Sequence, residues 1–275
     1  MISTTLSLEE IAHVVELGEG EAWADMFLAA PVDFAANLGL RVERVGSAIA
    51  LITENIDFML LNRVIGLGVL EPATETMVND LVVLYRQAGL QNFAVQISPA
   101  AQPSALPDWL EARGLPRRDN WAKVYRGVEP PPEVSTDLRI DCVGPEHATA
   151  FAGVACAAFG MPDSLSAWFA ATVGRSGWRH YLAWAGDTPV ATGALYIRND
   201  VGWLGVGSTL PSQRRRGAQG AIMAQRIRDG LELGCRWLVT ETGEETPSQP
   251  NPSYHNMLRT GFELAYPRPN YIFQP

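Results

Sequence analysis

Apolar positions recur with a helical period at two places far apart in the chain. Val78, Leu81, Val82 and Tyr85 follow the i, i+3, i+4, i+7 spacing, and Ala221, Ala224, Ile227 and Leu231 keep to one face in the same way, so both segments predict amphipathic helices. Each runs to a glycine, Gly89 or Gly234, suited to the left-handed conformation at a helix C-terminus. A short apolar stretch follows, FAVQIS in one case and RWLVTE in the other, and each predicts a buried strand. DWLEARGL from 108 and HNMLRTGF from 255 then predict short helices ended by glycine, with closing strands in NWAKVYRG and NYIFQP.

The order strand, helix, strand, helix, strand therefore occurs twice. The two copies open on similar heptapeptides, GLGVLEP at 66 and GVGSTLP at 205, which lay Gly66, Gly68 and Pro72 over Gly205, Gly207 and Pro211. Between the matched prolines and the matched helix-terminal glycines the second copy is six residues longer, and the surplus falls on RRRGAQG. Ahead of its copy, the second half adds a strand in DLRIDCV and helices in EHATAFAGVACAAF and LSAWFAATVG. HYLAWAG and PVATGALYI then predict a hairpin around Asp187. GVEPPPEVSTD, 127–137, is proline-rich and without hydrophobic period, the best linker in the chain. These elements predict a mixed α/β fold in two domains, 1–130 and 137–275.

The length of 275 residues suits two domains of roughly 100 to 150 residues each. No apolar run approaches a membrane span, and the acidic start of the chain, MISTTLSLEEIAHVVELGEG, predicts a helix rather than a signal peptide. Cys142, Cys156 and Cys235 are odd in number and lack CxxC spacing, so the expectation is a reducing, cytoplasmic setting without disulfides. No spacing among His13, His147, His180 and His255 suggests a metal site. The net charge of -9 arises wholly in residues 1–136, which hold 18 acidic and 9 basic side chains against 12 of each in 137–275. An acidic chain is a poor partner for nucleic acid, which demands neutralisation of many phosphates. Twenty of the 21 basic residues are Arg; Lys123 is the one lysine.

The extra loop of the second copy has its own chemistry. The leading N–H groups of a helix lack intrahelical partners and lie at the positive end of its dipole, which makes an anion site. Gly217 and Gly220 flank Ala218 and Gln219 at the expected helix start, with Arg214, Arg215 and Arg216 just before them, and a pyrophosphate would suit this loop. GK[ST] and GxGxxG are both absent, so it is neither a Walker loop nor a dinucleotide fingerprint. The alternative is a solvated arginine run before an ordinary helix.

STLPSQRRRGAQGAIMAQRI resembles the acetyl-CoA loop of the GNAT superfamily of N-acetyltransferases, whose pattern is [Q/R]-x-x-G-x-[G/A]. Arg214 falls on the first position, Gly217 on the glycine, and Gln219 where Gly or Ala is usual. NPSYHNMLRTGF is similar to the helix whose early Asn meets the cofactor in that family, here Asn251. The likeness covers 137–275, while 1–130 shares only the layout. It implies tandem GNAT-like domains, each a mixed, mostly antiparallel sheet flanked by helices, the first degenerate. It also implies acetyl-CoA as co-substrate, with its arm along Gly207, Ser208 and Thr209 and its pyrophosphate over Arg214 to Gly220. The acceptor is then the amine of a small molecule, and the protein a monomer or homodimer.

Amine attack on a thioester needs a base for the amine proton and an acid for the thiolate. Where many members carry a tyrosine acid this chain has Met257, and Tyr254 one turn earlier is the substitute, with a packed or cofactor-stacking ring as the alternative. The segment VGWLGVGSTL holds no carboxylate, which leaves Glu241 at the end of the following strand as candidate base, or else as a solvated strand-end residue. His255, beside Tyr254, is a further candidate, with a structural helical histidine as the alternative. Trp168, Trp178 and Trp203 suit either an acceptor wall or the core. A non-catalytic acyl-CoA sensor and a plain interaction scaffold are the competing readings.

Overall fold

The computed structural model describes residues 6–273. The first helix, α1 (Leu8–Leu28), starts at a capping box in which Ser7 and Glu10 exchange side-chain to backbone hydrogen bonds. It is followed by α2 (Val32–Leu38), β1 (Leu40–Val45), β2 (Ala48–Thr53), β3 (Arg63–Ile65), α3 (Glu75–Gln87), β4 (Ala94–Gln96), α4 (Leu106–Glu111) and β5 (Arg117–Arg126). The second half repeats this with β6 (Arg139–Val143), α5 (Ala148–Phe159), α6 (Ser166–Thr172), β7 (Trp178–Ala185), β8 (Thr188–Arg198) and β9 (Val201–Thr209). It closes with α7 (Ala218–Glu232), β10 (Trp237–Gly243), α8 (Pro252–Arg259) and β11 (Glu263–Ile272).

The doubled order of strands and helices is present, and the first half is fuller than its sequence reading. LRVERV and AIALIT, joined at Gly46 with φ +59°, form the β1–β2 hairpin that matches β7–β8. The closing strand expected at 270–275 begins instead at Glu263; residues 274 and 275 lie outside the described part, as do the first five.

Among the described residues the eleven strands form one sheet, in the order β1-β2-β3-β4-β11-β5-β10-β9-β8-β7-β6. The closing strands have changed places. β5, which ends the first half, lies between β10 and β11, and β11, which ends the second half, lies between β4 and β5. The expectation of one sheet per half thus meets a single sheet, because each half borrows its closing strand from the other. The segment 127–138 that joins the halves carries no helix or strand.

One face of the sheet is covered by α1, α2, α5 and α6, whose apolar side chains merge with both halves, Ile49 and Leu51 beside Trp203 and Val239. The other carries two separate cores, one under α3 and α4 and one under α7 and α8. Helix α1 spans the seam. A Cβ on Gly18 would lie 2.8 Å from Val201 of β9, and one on Gly20 would lie 3.0 Å from Ile49 of β2. Each interior glycine costs a helix about 1 kcal/mol, offset here by close packing against both halves.

Polar contacts extend the same attachment. Asp25 accepts from Arg175 Nε at 2.7 Å and from Trp178 Nε1 at 2.7 Å, and the Met26 carbonyl accepts from Trp168 Nε1 at 2.6 Å. Glu21 pairs with Arg44 of β1 and Arg198 of β8. Trp168, Trp178 and Trp203 are all buried, so their rings build the core between α1, α6 and the sheet.

His180 lies in this core, its Nε2 2.9 Å from Thr172 Oγ1 and its ring edge-on to Phe151. Burial pushes its imidazole down to about 3 from 6.5. The folded protein therefore keeps it neutral while the unfolded chain protonates. The stability it contributes is complete above pH 6.5 and is lost as the pH falls, by about 2 kcal/mol at pH 5. In His180→Phe, where Thr172 keeps its bond to the Phe169 carbonyl, denaturant unfolding at pH 7 and 5 should show a difference smaller by that amount.

Candidate active site

Strands β9 and β10 run parallel and pair from Val201/Trp237 to Trp203/Val239, after which no backbone hydrogen bond joins them among the described residues. The equivalent strands of the first half, β3 and β4, also diverge, but the chain beyond them is bonded shut. Gln102 N–H donates to the Gly68 carbonyl at 2.7 Å and Ala73 N–H to the Gln102 carbonyl at 2.7 Å. Gly68 stands at φ +78°, where a Cβ would meet the Gln102 oxygen at 2.6 Å. In the second half no such backbone bonds close the divergence; Thr240 Oγ1 of β10 donates to the Leu204 carbonyl of β9 at 2.6 Å at its start, and a long loop lies beside it.

That divergence starts at a bulge. Ala194 pairs with Gly205 and Thr192 with Ser208, so Val206 and Gly207 together oppose Gly193. Val206 sits at φ +50°, a strained value for a β-branched residue. Its carbonyl accepts from Thr192 Oγ1 at 2.8 Å, and Arg226 of α7 donates to the carbonyls of Ala194 and Gly205, each at 3.1 Å. Burial, without a carboxylate partner, pushes the Arg226 guanidinium down to about 10. A Cβ on Gly193 would come within 2.5 Å of Ile222, so the glycine is what lets α7 press on the bulge.

The loop runs from a single 3-10 turn at Pro211–Gln213 through Arg214 and Arg215 to Gly217, the cap of α7. Arg215 at φ +66° and Gly217 at φ +80° turn the chain into the helix. The N–H groups of Ala218, Gln219 and Gly220 have no intrahelical acceptor. Arg214 and Arg215 are exposed and pair with no described residue. Arg216 turns away, to Asp137 and Gln213, and its carbonyl accepts from Thr136 Oγ1 at 2.7 Å. The connecting segment is therefore packed on the loop. A Cβ on Gly217 would lie 2.8 Å from the Ser135 carbonyl, and one on Gly220 3.1 Å from Val134.

Ser208 Oγ lies 2.7 Å from Thr192 Oγ1. Gln219 folds its amide over β9, donating to the Ser208 carbonyl at 2.7 Å and Thr209 Oγ1 at 3.0 Å. Asn251 caps α8, with Oδ1 accepting from the N–H groups of Ser253 and Tyr254 and Nδ2 donating to Thr242 Oγ1 and the Gly243 carbonyl. Its side chain is thereby committed to joining α8 to β10. Tyr254 is half-buried on the α7 and α8 face, where Met257 is buried, and His255 pairs with Glu245 at 2.8 Å.

Glu241 points to the opposite, α1 face of β10. Its Oε2 accepts from Trp203 Nε1 at 3.0 Å and from Lys123 Nζ at 3.1 Å. Oε1 has no hydrogen-bond partner among the described residues, and the side chain is 10% exposed. Behind it lies a buried charge cluster. Lys123 Nζ donates to Glu19 Oε2 at 2.5 Å, Arg268 grips both Glu19 oxygens at 2.6 and 3.0 Å, and Arg63 approaches at 3.2 Å. Burial alone would raise the Glu19 carboxyl, but Arg268, Lys123 and Arg63 hold it well below the usual carboxylate range. Sequence reading missed these partners; the lone lysine among so many arginines was their one visible sign.

Among the described residues no helix is long and apolar enough to cross a membrane, and no group of His, Cys, Asp and Glu could hold a metal ion. No protein-family model and no curated protein matches the sequence. Solved structures do match. A GCN5-related N-acetyltransferase from Sphaerobacter thermophilus aligns over 96% of this chain and 94% of its own, at 14% identity and a TM-score of 0.60. Another from Kribbella flavida covers 91% and 95%, at 19% identity and a TM-score of 0.57. A tandem GNAT protein from the clavulanic acid biosynthesis pathway covers 72% and 68%, at 17% identity and a TM-score of 0.52. At these identities the likeness is one of architecture, and it says that the chain has the fold of the GCN5-related N-acetyltransferases.

Proposed function

We propose that the chain is an acetyl-CoA-dependent N-acyltransferase acting on a small amine, with its site in 137–275 and a first copy, 1–130, that has lost the phosphate loop. The observation that carries this is the contrast between halves: one strand divergence closed by backbone hydrogen bonds, the other without them and flanked by unpaired N–H groups and arginines. Arg214, Arg215 and the N–H groups of Ala218, Gln219 and Gly220 hold the pyrophosphate, and the edge of β9 around Ser208 and Thr209 holds the arm. Acetyl-CoA supplies the activated acyl group. The acceptor nitrogen bonds to the acetyl carbon as the C–S bond breaks. Its surplus proton passes to Glu241 Oε1, directly or through water, and Tyr254 on the other face donates one to the thiolate.

Calorimetric titration with acetyl-CoA tests this directly, with one site per chain expected. Gly217→Val forces a β-branched residue to φ +80° and a Cβ against the Ser135 carbonyl. It should weaken binding by about tenfold or more while costing about 1–3 kcal/mol of stability. Wild-type protein that binds no acetyl-CoA, or a variant that binds it equally well, removes the loop from the function. A sensor that binds without turnover is the second reading, favoured by the buried Met257 where a proton donor is expected. Release of CoA thiol in the presence of amines separates the two.

A further inference from the structure

Lys123 stands on β5, the strand that the first half contributes to the second, and its side chain is 1% exposed. It faces Glu241 directly across the β10–β5 pair and bridges that carboxylate to Glu19 of α1. Two donors, Lys123 Nζ and Trp203 Nε1, converge on the same oxygen of Glu241, and the other oxygen has no partner among the described residues on a side chain that is 10% exposed. A carboxylate held in this way has one orientation, with one oxygen anchored and one presented.

The anchor is itself fixed. Glu19 is gripped by Arg268 and approached by Arg63 at 3.2 Å, and Arg63 lies between the rings of Trp23 and Trp121 at 4.7 and 4.8 Å. Trp203 is held edge-on by Trp23 at 6.1 Å and Trp178 at 6.3 Å. The headgroup also matters. A compact ammonium donates to two carboxylates from one point, whereas a guanidinium would bring a planar fork of five N–H groups into a fully buried gap. In a chain that uses arginine at its 20 other basic positions, lysine stands at this one.

We infer that Lys123, backed by Glu19, is a positioning residue through which the first half orients the Glu241 carboxylate at the strand divergence of the second half. The inference rests on the reading of that divergence as the acetyl-transfer site. It gives the degenerate half a task in the reaction: β5 and α1 set where the free oxygen of Glu241 points. Displacing a reacting group by about 1 Å can cost about 100-fold in rate, so such an anchor is worth keeping buried.

Because Lys123 is the one lysine, 15N-lysine labelling of the full chain gives a single side-chain ammonium resonance. The experiment follows that resonance during titration with acetyl-CoA and with CoA, alongside calorimetry on the same samples. The expected result is a shift with acetyl-CoA, smaller with CoA, that is lost in Glu241→Gln although calorimetric affinity is kept. Acetyl-CoA that binds by calorimetry without moving the resonance overturns the positioning role and leaves the transferase reading standing. Absence of calorimetric binding overturns both. Should Glu241→Gln fail to fold, the wild-type titration alone decides between the shift expected and the silence that refutes it.

Discussion

Residues 137–275 expressed alone should not fold, although they contain every strand and helix of the half that carries the proposed site. In the intact protein β5 separates β10 from β11, so its removal strips β10 of its antiparallel neighbour and β11 of one of its two. The other neighbour of β11, β4, also belongs to the first half. Removing α1 would expose Trp168, Trp178, Trp203 and Val239 on one face of the sheet. Unpaired strand edges beside an uncovered apolar face are an aggregation hazard. The expected outcome is an insoluble or non-cooperative fragment. A chain cut within 128–134, with both pieces present, should instead stay together through size-exclusion chromatography and unfold in one cooperative transition. A fragment 137–275 that unfolds cooperatively and binds acetyl-CoA like the intact protein would refute the structural interdependence of the halves.

Glu19→Ala is the point substitution expected to cost most. It leaves Arg268, Lys123 and Arg63 buried with only Glu16 and Glu241 to balance them, and breaking a buried ion pair in this way costs about 3–5 kcal/mol. Against a total stability of about 5–15 kcal/mol this is a large share. Removing the Arg41–Glu54 pair, 40% exposed on both sides, should change stability by only about 0–1 kcal/mol. The two are compared by urea denaturation at pH 7. Since the Glu19 carboxyl is held below its unfolded value of 4.5, the stability it contributes is full above that pH and erodes as the pH falls. The gap between wild type and Glu19→Ala should therefore narrow in acid, and a gap that stays constant from pH 7 to pH 3 would contradict the role given to the cluster.

Some of the proposed site was legible from the chain and some was not. The loop proposed to hold the pyrophosphate is legible because its features are local: glycines, arginines and a helix start lie together in RRRGAQG, and GLGVLEP lacks them. Glu241, the proposed base, stands near the end of β10, where its place in the sequence puts it. Arg216 and Asn251 are drawn to other partners for one shared reason. Each has a competing partner, Asp137 for Arg216 and Thr242 with Gly243 for Asn251, supplied by chain that sequence order does not place beside it. The hairpin of β1 and β2 has its local signs in the alternation of LRVERV and in Gly46.

By itself the sequence determined the local elements, their doubled order, the helix caps and the composition of the loop, because periodicity, capping and turn preference act over a few residues. Only the tertiary structure decided which strand lies beside which. β5 and β11 satisfy the same backbone groups and present similar alternation, so nothing local distinguishes keeping a closing strand from exchanging it. That exchange is what carries Lys123 to Glu241, 118 residues away in the chain, while the packing of α1 and α6 on the sheet turns three tryptophans that suited either a pocket wall or a core into core. Contacts of that range follow from how both faces of the sheet are buried at once, and helix α1, packed on both halves, sets that arrangement.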